Sequence, residues 1–256
     1  MTLVAILALG LVIGTVLGAL GGGGAILTVP VLVYLLDQPA GEATTGSLVI
    51  VGLTSVVGVL SHARSGNVRW RTGLAFGAAG TLAALLGTVF NRHVAQDVLL
   101  LVFAAFMVLA ATGMLLRVRP EGGTDAGQGE AASTRTRALR LVVAGAGVGF
   151  LTGFLGVGGG FIIVPALVLA LGLPMSAAVG TSLLIIVVNS AVALLARAGT
   201  ASFDWAVIAP FTLAAMVGTL GGKQIADRLP AAVATRAFAV LILMVAAYTA
   251  VRTLLW

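Results

Sequence analysis

The chain has 256 residues, of which 60% are hydrophobic and only 9% charged, against roughly 25% charged in a soluble domain. So little charge cannot cover a water-facing surface, so the bilayer is the solvent in which this sequence folds. The net charge of +6 lies in short loops between apolar runs, which reads as membrane orientation rather than nucleic-acid binding, and the lack of cysteine excludes disulfides, thiolate metal sites and cysteine nucleophiles.

Five apolar segments follow one another in the first half, at residues 2–20, 25–36, 45–61, 72–90 and 97–116. The first has no basic stretch before it and reads as part of the mature fold, not as a cleaved leader. Residues 117–137 are rich in Gly, Glu, Thr and Arg and cannot bury a core, so the chain divides into a first membrane repeat (1–117), a flexible cytoplasmic linker (118–138) and a second repeat (139–256). The second repeat carries segments at 139–155, 160–172, 177–196, 205–222 and 231–254.

The halves repeat one another. Gly18 to Pro30 reads GALGGGGAILTVP and Gly153 to Pro165 reads GFLGVGGGFIIVP, an offset of 135 residues that also maps Pro39 onto Pro174, Ala43 onto Ala178, Ser47 onto Ser182 and Trp70 onto Trp205. Unlike residue types at one constant spacing signal duplication. The expected fold is therefore an all-α integral membrane protein of about ten hydrophobic segments in two homologous five-segment halves.

An odd number of crossings per half would invert the second half. With the linker cytoplasmic, five-plus-five crossings put 11 basic residues inside and 3 outside, whereas parallel halves give 10 and 4, a slight preference for inverted repeats. The apolar tract Ala25 to Leu36 has 12 residues and rises only about 18 Å, short of a hydrocarbon core of about 30 Å. It reads as one arm of a Gly-rich broken or re-entrant hairpin turning at Gly21 to Gly24.

A glycine cluster interrupts a helix, and in lipid the freed backbone groups are tolerated only where protein or a water-lined cavity satisfies them. Half-helices starting after such a break present N–H groups and a positive dipole end, which favour an anion. On that ground Gly22, Gly23 and Gly24, with Gly158, Gly159 and Gly160 in the second half, are candidate substrate-binding residues. The competing reading, close helix packing, is the one given to the isolated Gly77, Gly80 and Gly87. Pro30 and Pro165 stand at equivalent places and read as structural kinks.

Hydroxyls open the third segments, Thr45 and Ser47 in one half and Thr181 and Ser182 in the other. They are read as sharing two duties, capping orphan amides and donating to an oxyanion. Asn189 lies two helical turns beyond Ser182, with Thr54 as its counterpart, and either lines the same path or bonds a neighbouring helix. All eight acidic residues fall at segment ends or in loops, and His62 and His93 border loops and read as solvated. With no carboxylate mid-span, export driven by the membrane potential, without obligatory proton coupling, is the expectation. No catalytic motif, metal-ligand set or cofactor signature is present, so enzyme chemistry is not expected.

The repeated glycine hairpin, the proline after it, the A-x-G-T-S-L stretch at Ala178 to Leu183 and a tryptophan after the third segment resemble the sulfite exporter TauE/SafE family of membrane permeases. The first half varies the pattern as A-T-T-G-S-L at Ala43 to Leu48, and Val157 interrupts the second glycine run. The resemblance implies export of sulfite, sulfoacetate or a related sulfur-containing organic anion from a multi-pass position in the cell membrane. The expected partners are a small anionic substrate and the lipid bilayer, with no nucleic acid. A non-transporting membrane scaffold and a channel-like anion uniporter stand as the alternatives.

Overall fold

The computed structural model describes residues 3–91, 96–116, 134–155, 160–197 and 203–255. Among them the regular structure is entirely helical: α1 (Leu3–Leu20), α2 (Gly23–Pro30) running into a π-helical turn (Val31–Leu35), α3 (Ala40–Arg64), α4 (Trp70–Asn91), α5 (Gln96–Leu116), α6 (Thr134–Leu155), α7 (Gly160–Leu169), α8 (Met175–Ala196), α9 (Trp205–Arg228) and α10 (Ala231–Leu255). Away from their ends helices satisfy their backbone groups internally, which is what an apolar chain in hydrocarbon requires. The first turn of α6 falls inside the stretch 118–138 that composition assigns to the linker.

Seven of the described helices, α1, α3, α4, α5, α8, α9 and α10, are long and apolar enough to cross a membrane. Their outward side chains fit lipid: Leu82, Leu109, Leu195 and Leu213 are each more than 60% exposed. The apolar stretches Gly23–Leu35 and Gly160–Leu169 are shorter. Thirteen residues rise only about 20 Å, so α2 with its π turn covers part of the bilayer.

The two halves build the same turns at the same offset. Gln38 N–H donates to the Leu32 carbonyl at 2.9 Å and Leu173 N–H to the Leu167 carbonyl at 3.1 Å, 135 residues on. In both turns the preceding residue, Asp37 or Gly172, adopts positive φ (49° and 66°). Pro39 and Pro174 then cap α3 and α8, with Ala43 and Ala178 donating to their carbonyls at 2.8 and 2.9 Å.

Packing interleaves the halves. α1 lies along α9 and α4 along α6, so the first helix of each half is held by the fourth helix of the other. Small residues make this possible: a Cβ on Gly14 would fall 2.0 Å from the Ala215 carbonyl oxygen, and one on Gly149 would fall 1.9 Å from that of Gly80. Thr219 adds an interhelical hydrogen bond, its hydroxyl donating to the Gly14 carbonyl at 3.0 Å.

At the centre α3 packs against α8 in antiparallel register. Thr45 stands by Arg197, Gly52 by Ser190, Gly58 by Leu183 and His62 by Gly180, so residue numbers fall along α8 as they rise along α3. The fully buried rings of Phe76, Phe161 and Phe238 share a core with Val51 and Val59 of α3 and Leu183 and Ile186 of α8, and that of Phe211 shares one with Ile50 of α3. Phe161 meets Phe103 edge-on with centroids 5.1 Å apart.

Candidate functional site

The glycine clusters of the two halves meet. Gly21 turns the chain with φ of +69°, a conformation that costs glycine little and a side chain much. Past the turn, Gly22 lies directly on the start of α7, where its Cβ would stand 1.6 Å from the Gly160 carbonyl oxygen. Gly160 in turn faces Ala25, the residue at its own position in the first half, at 3.0 Å from a built Cβ. Equivalent positions of the two halves are thus in contact at this crossing.

Each glycine of the first cluster is used against protein. A side chain at Gly21 would run into the Ser182 hydroxyl and the Val179 main chain, at Gly24 into the main chain of Leu17, and at Gly23 into Phe238 and Leu241. Gly158 and Gly159 lie outside the described residues. Pro30 closes α2 on an exposed face and is followed by the π turn, while Pro165 is buried inside α7.

The hydroxyl clusters do not open their helices. α3 begins at Ala40 and α8 at Met175, several residues ahead of the hydroxyls, and the cap residues are prolines with no side-chain bond to the first-turn amides, so capping of the helix's own amides by these hydroxyls is overturned. Thr45 donates to the Gly41 carbonyl at 3.0 Å, Ser47 to that of Thr44 at 2.8 Å and Ser182 to that of Val179 at 2.8 Å, each one turn back. Thr181 instead caps a different helix, accepting from the Arg69 N–H at 3.1 Å just ahead of α4. Because α3 and α8 are antiparallel, the two clusters sit toward opposite ends of the bundle. Ser182 flanks the Gly21 turn, whereas Thr45 lies beside the Arg197 guanidinium, which donates to it at 3.1 Å. Asn189 makes the helix-to-helix bond: its Oδ1 accepts from Thr81 on α4 at 3.0 Å.

The profile of the family described as "Sulfite exporter TauE/SafE" matches residues 6–249 of this chain. The chain belongs to the TauE/SafE family. Among its relatives, a "Probable membrane transporter protein" of Xylella fastidiosa (strain 9a5c) is 33% identical over 243 residues, covering 92% of this chain and 90% of its own. "Probable membrane transporter protein YdhB" of Bacillus subtilis (strain 168) is 27% identical, with 85% and 88% covered, and "MJ0441" of Methanocaldococcus jannaschii is 26% identical, with 70% and 68% covered. No solved structure matches. The protein is a multi-pass membrane transporter of this family.

This TauE/SafE chain holds three polar atoms that sequence reasoning passed over. Thr54 Oγ1, Ser55 Oγ and His62 Nδ1, all on α3, are buried and find no hydrogen-bond partner among the described residues. An unsatisfied buried polar group costs about 1–3 kcal/mol, which marks these three atoms on one central helix as candidates to bond a solute. From the sequence Thr54 stands out only as the counterpart of Asn189. His62, read as a solvated loop residue, is only 2% exposed. The error lay in the segment end: α3 runs to Arg64, one turn beyond residue 61, and draws the imidazole inside. Among the described residues no group of three His, Asp or Glu side chains is placed to hold a metal ion.

Proposed function

We propose that this TauE/SafE transporter moves a small oxyanion, sulfite, sulfoacetate or a related sulfur-containing organic anion, by alternating access around the crossing of its two glycine hairpins. The observation that carries the reading is the Gly22–Gly160 contact, with Ser182 at the turn and the unpartnered hydroxyls of Thr54 and Ser55 on the central helix. Hydroxyls and backbone amides are neutral donors that hold an oxyanion without trapping it. Substrate contacts are assigned to Gly22, Gly23, Gly24, Ser182 and Gly160, and to Gly158 and Gly159 in the same run. Thr45, Ser47, Thr181 and Asn189 are assigned to the walls of the path.

The halves are inverted in this reading. Support comes from the antiparallel register of α3 and α8, two helices at equivalent places in the repeat, and from the distribution of basic residues. The end of the bundle bearing Ser65, Lys223 and Asp227 then faces the cytoplasm, and the end where Gln38 donates to Asp204 at 3.0 Å faces outward. Inverted repeats around a midplane site are a common architecture for secondary transporters. No catalytic step belongs to this reading.

The test is flux of radiolabelled sulfite and sulfoacetate through reconstituted proteoliposomes. Saturable uptake above empty vesicles supports the assignment. Flux equal to empty vesicles for every sulfur oxyanion removes the substrate claim, and copurification of one stoichiometric protein partner would favour a scaffold.

A further inference from the structure

His62 lies near the end of α3 that carries Arg64, inside the span Gly41–Arg64. Its Nε2 stands 3.1 Å from the Gly18 carbonyl oxygen. A carbonyl can only accept, so Nε2 carries the hydrogen and Nδ1 is left as a bare acceptor. That acceptor is buried and has no partner among the described residues. Gly18 belongs to the last turn of α1 before the Gly21 reversal, so the imidazole is bonded to the hairpin itself.

The charged groups around the ring are few. From α9, Lys223 and Asp227 act on it electrostatically. They pair with each other, and Lys223 Nζ also donates to Ser65 Oγ at 2.7 Å. From its own helix comes Arg64, and the Arg69 main chain is tied to Thr181 beside Gly180, against which His62 packs. The described residues of α1 and α8 contribute no titratable side chain. The ring therefore sits between an apolar interior and a polar cluster at one end of the bundle, a position from which a proton can arrive.

We propose that His62 is a proton-binding site of the transport cycle, through which movement of the anion is linked to movement of a proton. This rests on the transporter reading above and replaces the potential-only expectation drawn from the lack of mid-span carboxylates. Imidazole is the side chain whose ordinary titration falls between pH 5 and 8. A proton added to Nδ1 makes both ring nitrogens donors and places a positive charge where burial without a partner is costly. The charged ring favours a conformation in which Nδ1–H meets water or an anion. Because Nε2–H is bonded to Gly18, that preference acts on the glycine hairpin. The balance is simple: one proton is taken up at Nδ1 on one side and released from it on the other, and no bond in the substrate changes.

Two measurements on the full chain test the proposal. The protein has two histidines, so His93→Asn leaves a single imidazole for nitrogen-15 NMR in lipid nanodiscs. We expect the Nδ1 resonance to move from unprotonated to protonated between pH 8 and pH 5. A resonance that stays unprotonated down to pH 5 in the folded protein overturns the proposal whatever the substrate is.

The second measurement uses sulfoacetate in proteoliposomes clamped at zero potential with potassium and valinomycin. One-to-one coupling makes a pH difference of one unit sustain about a tenfold anion excess on the alkaline side. His62→Gln, whose amide still reaches the Gly18 carbonyl but does not titrate, should abolish that excess while retaining potential-driven flux. An undiminished excess in His62→Gln, or none in the wild type, refutes the link. Absence of any sulfoacetate flux removes the substrate reading instead, and the nitrogen titration still decides whether the proton site exists.

Discussion

Gly22 and Gly160 touch main chain to main chain, so that a methyl group on Gly22 would stand 1.6 Å from the Gly160 carbonyl oxygen. No side-chain rotation relieves such a clash. Gly22→Ala should destabilise the protein by about 3 kcal/mol, the upper range for overpacking. At Gly23 the added methyl would meet side chains, Leu241 Cδ2 at 3.0 Å, the Phe238 ring at 3.3 Å and Leu20 Cβ at 3.6 Å. Gly23→Ala should therefore cost about 1 kcal/mol. Thermal unfolding in detergent compares them, and equal losses would contradict the stated geometry.

The glycines of α4 and α6 are graded in the same way by what they face, α6 and α4 for Gly80 and Gly149 and α8 for Gly77. A methyl at Gly149 would sit 1.9 Å from the Gly80 carbonyl oxygen, one at Gly80 would sit 3.2 Å from that of Gly145, and one at Gly77 would lie 3.6 Å from Val188. Alanine at Gly149 should lower folded yield most, at Gly80 slightly, and at Gly77 not at all, since alanine gains up to about 1 kcal/mol in helix propensity. Fluorescence-detected size exclusion ranks the three variants.

Thr54 and Ser55 offer a separation of stability from function. Replacing an unsatisfied buried hydroxyl with an apolar group of the same shape is nearly neutral or stabilising. Thr54→Val and Ser55→Ala should thus leave the melting temperature unchanged or raised while reducing sulfur-oxyanion flux at least several-fold. A fall in stability with unaltered flux would make both hydroxyls structural.

Orientation is open to direct labelling because the chain has no cysteine. Ser65 and Gly41 are both exposed and lie at opposite ends of α3. In intact cells an impermeant maleimide should modify Gly41→Cys at once and Ser65→Cys only after permeabilisation. The reverse pattern would place the linker outside and undo the proposed topology.

Much of this architecture is legible in the sequence because lipid imposes simple rules. The ten α-helices among the described residues fall close to the ten apolar segments, and the hairpin turn falls where four glycines stand together. What sequence could not supply is which surfaces meet. Nothing in the spacing of Thr45 and Ser182 says that they end on opposite sides of the bundle, since that follows from the antiparallel pairing of α3 and α8. The glycine run signals close approach, yet whether the neighbour is an anion or Gly160 depends on a second segment 135 residues away. For His62 the difference is a single turn, the usual uncertainty of a helix end, and that turn separates a solvated ring from a buried one.

The interleaving of the halves also sets an order of assembly. α1 leaves the ribosome early but finds its groove only against α9, whose first residue, Trp205, follows Leu20 by 185 positions. At a synthesis rate of about 5–20 residues per second, the glycine-lined face of α1 waits roughly 10–40 s for its partner. During that interval Gly10, Gly14 and Gly18 present a small-residue stripe to whatever helix is near. A nascent chain of this design is therefore exposed to mispairing with foreign spans until its ninth helix is inserted.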